Sequence, residues 1–290
     1  MNPTDQRTVP WAIWRDRQGR LSWPRLAAMA AGVLPAFYVL INAMDAAPTG
    51  TFSILASMIF YSGVVSIWLV LAALAVTPLR RMTGFGRLID IRRMLGVSGF
   101  AYAALHLVTY VLLREGSLEQ MGAELISRVT IIVALVAILM LAALFVTSTD
   151  GAVRKMGGDR WARLHRLIYI AAGLAILHYV MSPGSYAGDP FLMMGVYFWL
   201  MGWRALQDYW AAATRTLPLL GLAFGAALAS LAFEFAALMV FKAMTPDETW
   251  SLNYSFEDGP PTPLVVLVVG LLAACIPPVA GRLQARQRPA

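Results

Sequence analysis

Charge is what this sequence has least of. Of its 290 residues 13% are charged and 59% are hydrophobic, whereas a soluble domain is about a quarter charged and about half apolar. The excess falls into runs of roughly 20 residues, the length of helix that crosses a ~30 Å hydrocarbon core. Cysteine occurs once, at Cys275. That excludes an intramolecular disulfide and any thiolate-held iron–sulfur or zinc cluster. No Gly-x-Gly-x-x-Gly follows a strand-like run and there is no P-loop, so no nicotinamide-binding domain of the chain's own is expected. Gly84-Phe85-Gly86 reads as a turn between two arginine clusters. Strand alternation and low-complexity segments are absent as well. The segments between apolar runs reach only about 25 residues, too short for a soluble catalytic domain.

What is present is a set of eight apolar runs. They predict spans at about Leu26–Met44, Phe52–Val76, Met94–Leu113, Val129–Val146, Leu164–Met181, Phe191–Trp203, Leu217–Phe241 and Leu264–Ala280. The expected fold class is an all-α polytopic membrane helix bundle. The sixth run is the shortest and must lean on a snorkelling Arg204 or a buried Gln207. The net charge of +7 would point to nucleic acid only if it were clustered on one surface. Instead it sits between spans. With the N-terminus in the cytoplasm, all of the 23 Lys and Arg except Arg114, Arg128 and Lys242 fall in cytoplasmic segments, as the positive-inside rule requires. Both ends are then inside, the acidic loop Asp247-Glu248 to Glu257-Asp258 is outside, and the membrane is of the bacterial cytoplasmic type. Ala43-Met44-Asp45-Ala46-Ala47 loosely resembles a signal-peptide cleavage site, but the 25 residues before the first run are long for an n-region.

Histidine occurs three times, at His106, His165 and His178, each in or at the end of a predicted span. An ionisable side chain at membrane depth is a functional candidate by default, and neutral imidazole is a standard axial ligand of haem iron. His106 lies about 12 residues into the third span, ~18 Å from its inner end. His178 lies near the outer end of the fifth span, which runs in the same direction. The two therefore share a level in the outer half of the membrane, while His165 lies ~20 Å lower. One pair near the outer face and one ligand near the inner face is the layout of a transmembrane electron wire.

Gly99 and Ala103 precede His106 on its own face, and Ala171 and Ala175 stand in the same relation to His178. These small residues offer room for a flat macrocycle, or else ordinary close packing between membrane helices. A partner for His165 would fall about four turns before His106, where the sequence has Arg92. Arg92 would approach an inner haem or pair with a propionate, or serve only as an inside-positive anchor. On a straight helix His165 and His178 face different sides, so either an irregularity, near Gly173, realigns them or His165 serves another surface.

Several stretches together resemble the ferric-reductase-like transmembrane domain. They are Thr77-Pro78-Leu79-Arg80, Arg92-Arg93-Met94-Leu95-Gly96 and Leu105-His106-Leu107-Val108-Thr109-Tyr110, then Thr147-Ser148-Thr149, Arg154-Lys155-Met156-Gly157, Arg160-Trp161-Ala162-Arg163-Leu164-His165 and Ile176-Leu177-His178-Tyr179. More narrowly they resemble the MsrQ (YedZ) family, haem-binding membrane subunits of periplasmic methionine-sulfoxide reductase systems. The resemblance covers roughly residues 25–210. It implies a six-helix core with b-type haem, one or two groups, and an FMN or a flavin-reductase partner at the inner face, or electrons from the quinone pool. It also implies a periplasmic molybdopterin enzyme as acceptor. By position, His106 and His178 match the haem-iron ligands, His165 the third histidine, a ligand if there is a second haem, and Arg92 an arginine beside it. The chain departs from the pattern after about residue 212, where two further spans and the acidic loop follow.

The expected organisation is thus a basic cytoplasmic segment (1–25), a six-helix haem-binding domain (26–212) and a two-helix extension (213–290). The extension carries Glu234 inside an apolar run, either as a proton or quinone group or as a paired, neutral residue. The expected function is an electron-transferring oxidoreductase subunit, with the substrate chemistry left to its partner. The competing functions are a ferric or cupric chelate reductase, which the missing NADPH domain disfavours, a haem carrier or sensor without turnover, and a structural membrane protein.

Overall fold

The computed structural model describes residues 14, 21–183, 185, 188–209, 215–254, 256 and 259–280. Its elements are helices: α1 (Trp23–Asp45), α2 (Thr51–Thr83), α3 (Ile89–Leu113), α4 (Leu118–Ser127), α5 (Val129–Val146), α6 (Asp150–Met156), α7 (Gly158–His165), α8 (Leu167–Met181), α9 (Asp189–Tyr209), α10 (Thr216–Lys242), α11 (Pro246–Tyr254) and α12 (Thr262–Ala274), with single 3₁₀ turns at Ala47–Thr49 and Gly86–Leu88. Among the described residues, seven helical segments are long and apolar enough to cross a membrane: Trp23–Thr49, Thr51–Thr83, Gly86–Leu113, Val129–Val146, Gly158–Met181, Thr216–Lys242 and Thr262–Ala280. The chain is a multi-span membrane protein. Its helices turn large apolar side chains outward, among them Val33, Leu34, Phe37 and Ile41 on α1 and Leu139 and Val146 on α5. A surface of that kind is stable against lipid rather than water.

The predicted sixth span corresponds to α9, which is 21 residues long but is not among those seven. Its run is diluted by Asp189, Pro190, glycine and Arg204, and much of its apolar content is aromatic. Phe191, Met193 and Trp203 on it are fully buried, so protein as well as lipid surrounds this helix.

The chain divides into two compact units, one of Met1–Val76 and Gly86–Leu113, the other of Thr77–Phe85 and Arg114–Ala290. In the first, α1 packs on α3. A Cβ added at Gly32 would stand 2.6 Å from the Ser98 hydroxyl, so glycine permits the approach. Pro35 interrupts the hydrogen-bond ladder of α1, and one turn away the Tyr102 hydroxyl donates to the Gly32 carbonyl at 2.9 Å. The α2–α3 contact is closed by the Ser66 hydroxyl donating to the Gly99 carbonyl at 2.8 Å. Val65, Leu69, Leu95 and Tyr102 form the core around these contacts.

In the second unit α8 packs on α5 and α9, and α9, α10 and α12 pack on one another. Small residues set these distances as well. A Cβ at Gly195 would meet Val266, one at Gly202 would meet Leu222, and one at Gly270 would meet Ala223, which is how membrane helices gain contact where no hydrophobic effect drives them together. The residues after 212 thus share a unit with α8 and α9.

Candidate functional site

His106 lies on α3 in the first unit and is half-buried. Its Nδ1 is 2.7 Å from the Ile59 carbonyl of α2. A carbonyl only accepts, so Nδ1 carries the proton and the lone pair is at Nε2. Room for the ring comes from Gly63, where a Cβ would stand 2.9 Å from Nδ1. Sequence reasoning passed over Gly63. One turn from Ile59 along α2, it is marked only by being a glycine inside an apolar run.

Gly99 does other work than the macrocycle space expected of it. A Cβ there would meet Val70 at 3.0 Å and the Ser66 carbonyl oxygen at 3.4 Å, so this glycine lets α3 lie close against α2. Arg92 is in the first turn of α3, half-buried, at the opposite end of the helix from His106.

His178 lies in the last turn of α8 in the second unit. Its Nδ1 is 3.0 Å from the Thr130 carbonyl at the start of α5. The inference is the same: proton on Nδ1, lone pair on Nε2. The helix end that holds it is tied down twice. The Ser182 hydroxyl donates to the His178 carbonyl at 2.8 Å, and Lys242, at the end of α10, donates to the Ser182 carbonyl at 2.5 Å. A cation at a helix C-terminus also opposes the negative end of the helix dipole.

His165 is built into a different frame. Its Nε2 lies 3.2 Å from the Thr147 hydroxyl, which itself donates to the Ala143 carbonyl at 2.7 Å. Its hydroxyl hydrogen being so placed, Thr147 accepts from His165, whose proton is then on Nε2. The Trp161 ring stacks on His165 with centroids 3.9 Å apart, and its indole N–H donates to the Thr147 carbonyl at 2.9 Å. Thr149 caps α6 by accepting from the Ala152 N–H. Gly157, at φ 80°, makes the turn into α7, a conformation that favours glycine. The threonine, glycine, tryptophan and histidine of the T-S-T…G…W-x-x-x-H stretch are thus one device that orients His165.

The expected irregularity between His165 and His178 is at Arg166, where α7 ends and α8 begins, and not at Gly173. Gly173 is inside α8, where a Cβ would stand 3.1 Å from the Tyr197 hydroxyl, and Tyr197 donates to the Tyr169 carbonyl at 3.0 Å. Glycine there serves α8–α9 packing.

Among the described residues no three His, Cys, Asp or Glu side chains gather to hold a metal ion. The donors that exist suit a haem iron instead. Imidazole ligands of metals almost always give their second ring N–H to a carbonyl or carboxylate, which fixes tautomer and orientation. His106 and His178 each do so, and at His106 a glycine leaves the space the ring occupies.

The family described as a ferric reductase like transmembrane component matches residues 53–176, a span that includes His106 and His165 and stops two residues before His178. A Cronobacter sakazakii protein named protein-methionine-sulfoxide reductase heme-binding subunit MsrQ is 37% identical over 197 residues, 66% of this chain and 96% of that protein. The chain belongs to the MsrQ family. The same name belongs to a Xanthomonas campestris protein, 41% identical over 154 residues, 53% of this chain and 70% of its own length. A Rhodospirillum rubrum MsrQ is 40% identical over 127 residues, 43% of this chain and 61% of that protein. No solved structure matches. Nearly the whole Cronobacter MsrQ is matched by two thirds of this chain, so this MsrQ-family member has a substantial part outside the shared region.

Proposed function

We propose that this chain is the haem b subunit that carries electrons across the bacterial inner membrane to a periplasmic methionine-sulfoxide reductase. The observation that carries the reading is the shared tautomer: His106 and His178 each direct Nδ1–H at a backbone carbonyl, of Ile59 and of Thr130, which puts the ligating lone pair at Nε2. His106 and His178 are assigned as the residues that would hold haem iron through Nε2. Bound there, haem supplies one-electron redox chemistry without an open coordination position.

The chain's own contribution is to orient the two rings, surround them with apolar helices, and keep water away. His165, with Arg92, is assigned to the cytoplasmic end, as ligands or propionate partners of a second haem or as contacts of FMN. Electrons enter there from the quinone pool or a cytoplasmic flavin reductase. The acceptor is a periplasmic molybdopterin enzyme, which performs the sulfoxide chemistry. Eight crossings with both ends in the cytoplasm, a core over 26–212 and an extension over 213–290 complete the reading.

The test is a reconstituted transfer. Purified chain in lipid nanodiscs, reduced by a quinol or by reduced flavin, should be reoxidised by the periplasmic reductase only when methionine sulfoxide is present. Reoxidation by ferric chelates but not by that enzyme would overturn the assignment of the acceptor.

A further inference from the structure

Glu234 lies two turns before the end of α10 with no exposed surface, and one turn before it Ser230 is 1% exposed. The Tyr254 hydroxyl of α11 donates to Glu234 Oε2 at 2.9 Å. Glu234 Oε1 and Ser230 Oγ are both buried without a hydrogen-bond partner. Residues four apart share a helix face, with Cβ atoms ~5–6 Å apart, so that a single water is of the size to join their unpartnered polar ends with two hydrogen bonds. Ser230 faces α9, since a Cβ on Gly195 would stand 3.0 Å from its hydroxyl. One turn further along α9, Trp199 Nε1 is likewise buried without a partner. Three unpartnered polar atoms thus follow one another where α9, α10 and α12 meet.

Among the described residues no cation is paired with this carboxyl. Along α12 there is no ionisable side chain between Thr262 and Ala274. On α9, Tyr197 is directed at Tyr169, and Arg204 lies over the Tyr169 ring. On α8, His178 is directed at Thr130, and on α11 Asp247 and Glu248 are exposed. Lys242, two turns along α10, is directed at Ser182. A carboxylate held in such surroundings has no compensating charge, whereas a carboxylic acid donates one hydrogen bond and accepts others. Burial, and then the neighbouring Glu234, push the Tyr254 phenol above its ordinary value, so it stays a donor.

We propose that Glu234, Ser230 and Tyr254 form a proton-exchange site that holds a buried water between Glu234 Oε1 and Ser230 Oγ and communicates with bulk water on the α11 side through Tyr254. In the exchange a proton from solvent joins the Tyr254 oxygen as the phenol proton passes to Oε2, the Oε1–H bond breaks as its proton passes to the water, and the reverse transfers return a proton along the same route to solvent. No electron moves. An unpaired acid buried in a membrane helix is a costly arrangement that packing alone does not require.

Infrared difference spectroscopy of the full chain in nanodiscs tests this without reference to bound haem. The wild type should show a protonated-carboxyl C=O band that moves in D₂O within minutes and is missing in Glu234→Gln. In Tyr254→Phe the band should shift to higher frequency, having lost a hydrogen bond, and its exchange should slow at least tenfold. Ser230→Ala should shift the same band and serves if Glu234→Gln does not fold. The proposal is overturned if no band depends on Glu234, if the band does not respond to D₂O, or if Tyr254→Phe leaves the exchange rate unchanged.

Discussion

Gly63 determines where the His106 ring can lie. A methyl group at this position comes to 2.9 Å of Nδ1, closer than a carbon and a nitrogen tolerate, and the imidazole must turn away from the Ile59 carbonyl. Gly63→Ala should therefore lower haem affinity by roughly 10–100-fold, the usual effect of losing a ligand's supporting contacts, with helix content unchanged. Haem titration of the apo-protein followed by circular dichroism would check both halves. Thr147 is the corresponding residue for His165. Thr147→Val removes the hydroxyl that accepts from its Nε2. The lost hydrogen bond costs about 1 kcal/mol, and a thermal melt should fall by roughly 2–4 °C. The histidines themselves were legible as candidates because a sequence this poor in charge makes three of them conspicuous. Gly63 was not, because its neighbour lies 43 positions away, and no local pattern marks the turn of α2 that faces α3.

Helix α11 begins with a reciprocal cap. The Thr245 N–H and hydroxyl both donate to the Glu248 carboxylate, and the Glu248 N–H donates to the Thr245 hydroxyl at 3.3 Å, the capping-box arrangement. The backbone hydrogen bond from Thr245, and then its hydroxyl, hold the Glu248 carboxyl below the usual carboxylate range. A carboxyl lowered in the folded state contributes stability that is complete above its unfolded value and is lost as pH falls through the folded one. Amide exchange at the start of α11 should accordingly quicken in acid, at a pH below the ordinary glutamate range, and should be fast at every pH in Glu248→Ala. At the far end of α10, Lys242→Met removes the donor to Ser182. The last turn of α8, which holds His178, should then exchange its amides faster while the middle of α8 is unaffected.

The same scale shows where pattern reading fails. Apolar run lengths place α1, α2, α3, α5, α10 and α12. They do not show that the run at 164–181 is broken at Arg166, because the break depends on Thr147 and Trp161 gripping His165 from outside the run. Gly99 reads equally as space beside a ligand or as close packing, and Gly173 as a break in the helix, yet both are contact points between helices, and only the identity of the facing residue decides the meaning.

Across the whole molecule, membrane character follows from composition and run length, and the family from the arginine, threonine and histidine stretches around α3 and α6 to α8. The polar site of α10 and α11 was half visible: Glu234 stood out as an acid in an apolar run, while Tyr254 lies across a loop and has no periodic relation to it. The proposed eight crossings predict a definite labelling pattern. With Cys275 replaced by serine, a cysteine at Asp247 should react with a membrane-impermeant maleimide from outside intact cells, and one at Asp159 only after permeabilisation. The proposed assignment of His106 and His178 as haem-iron ligands has the most direct test. The optical spectrum of the purified full chain should show a Soret band and sharp α-bands on reduction, both lost in His106→Ala and in His178→Ala. A chain without a Soret band, or one whose reduced spectrum survives both substitutions, would contradict the account.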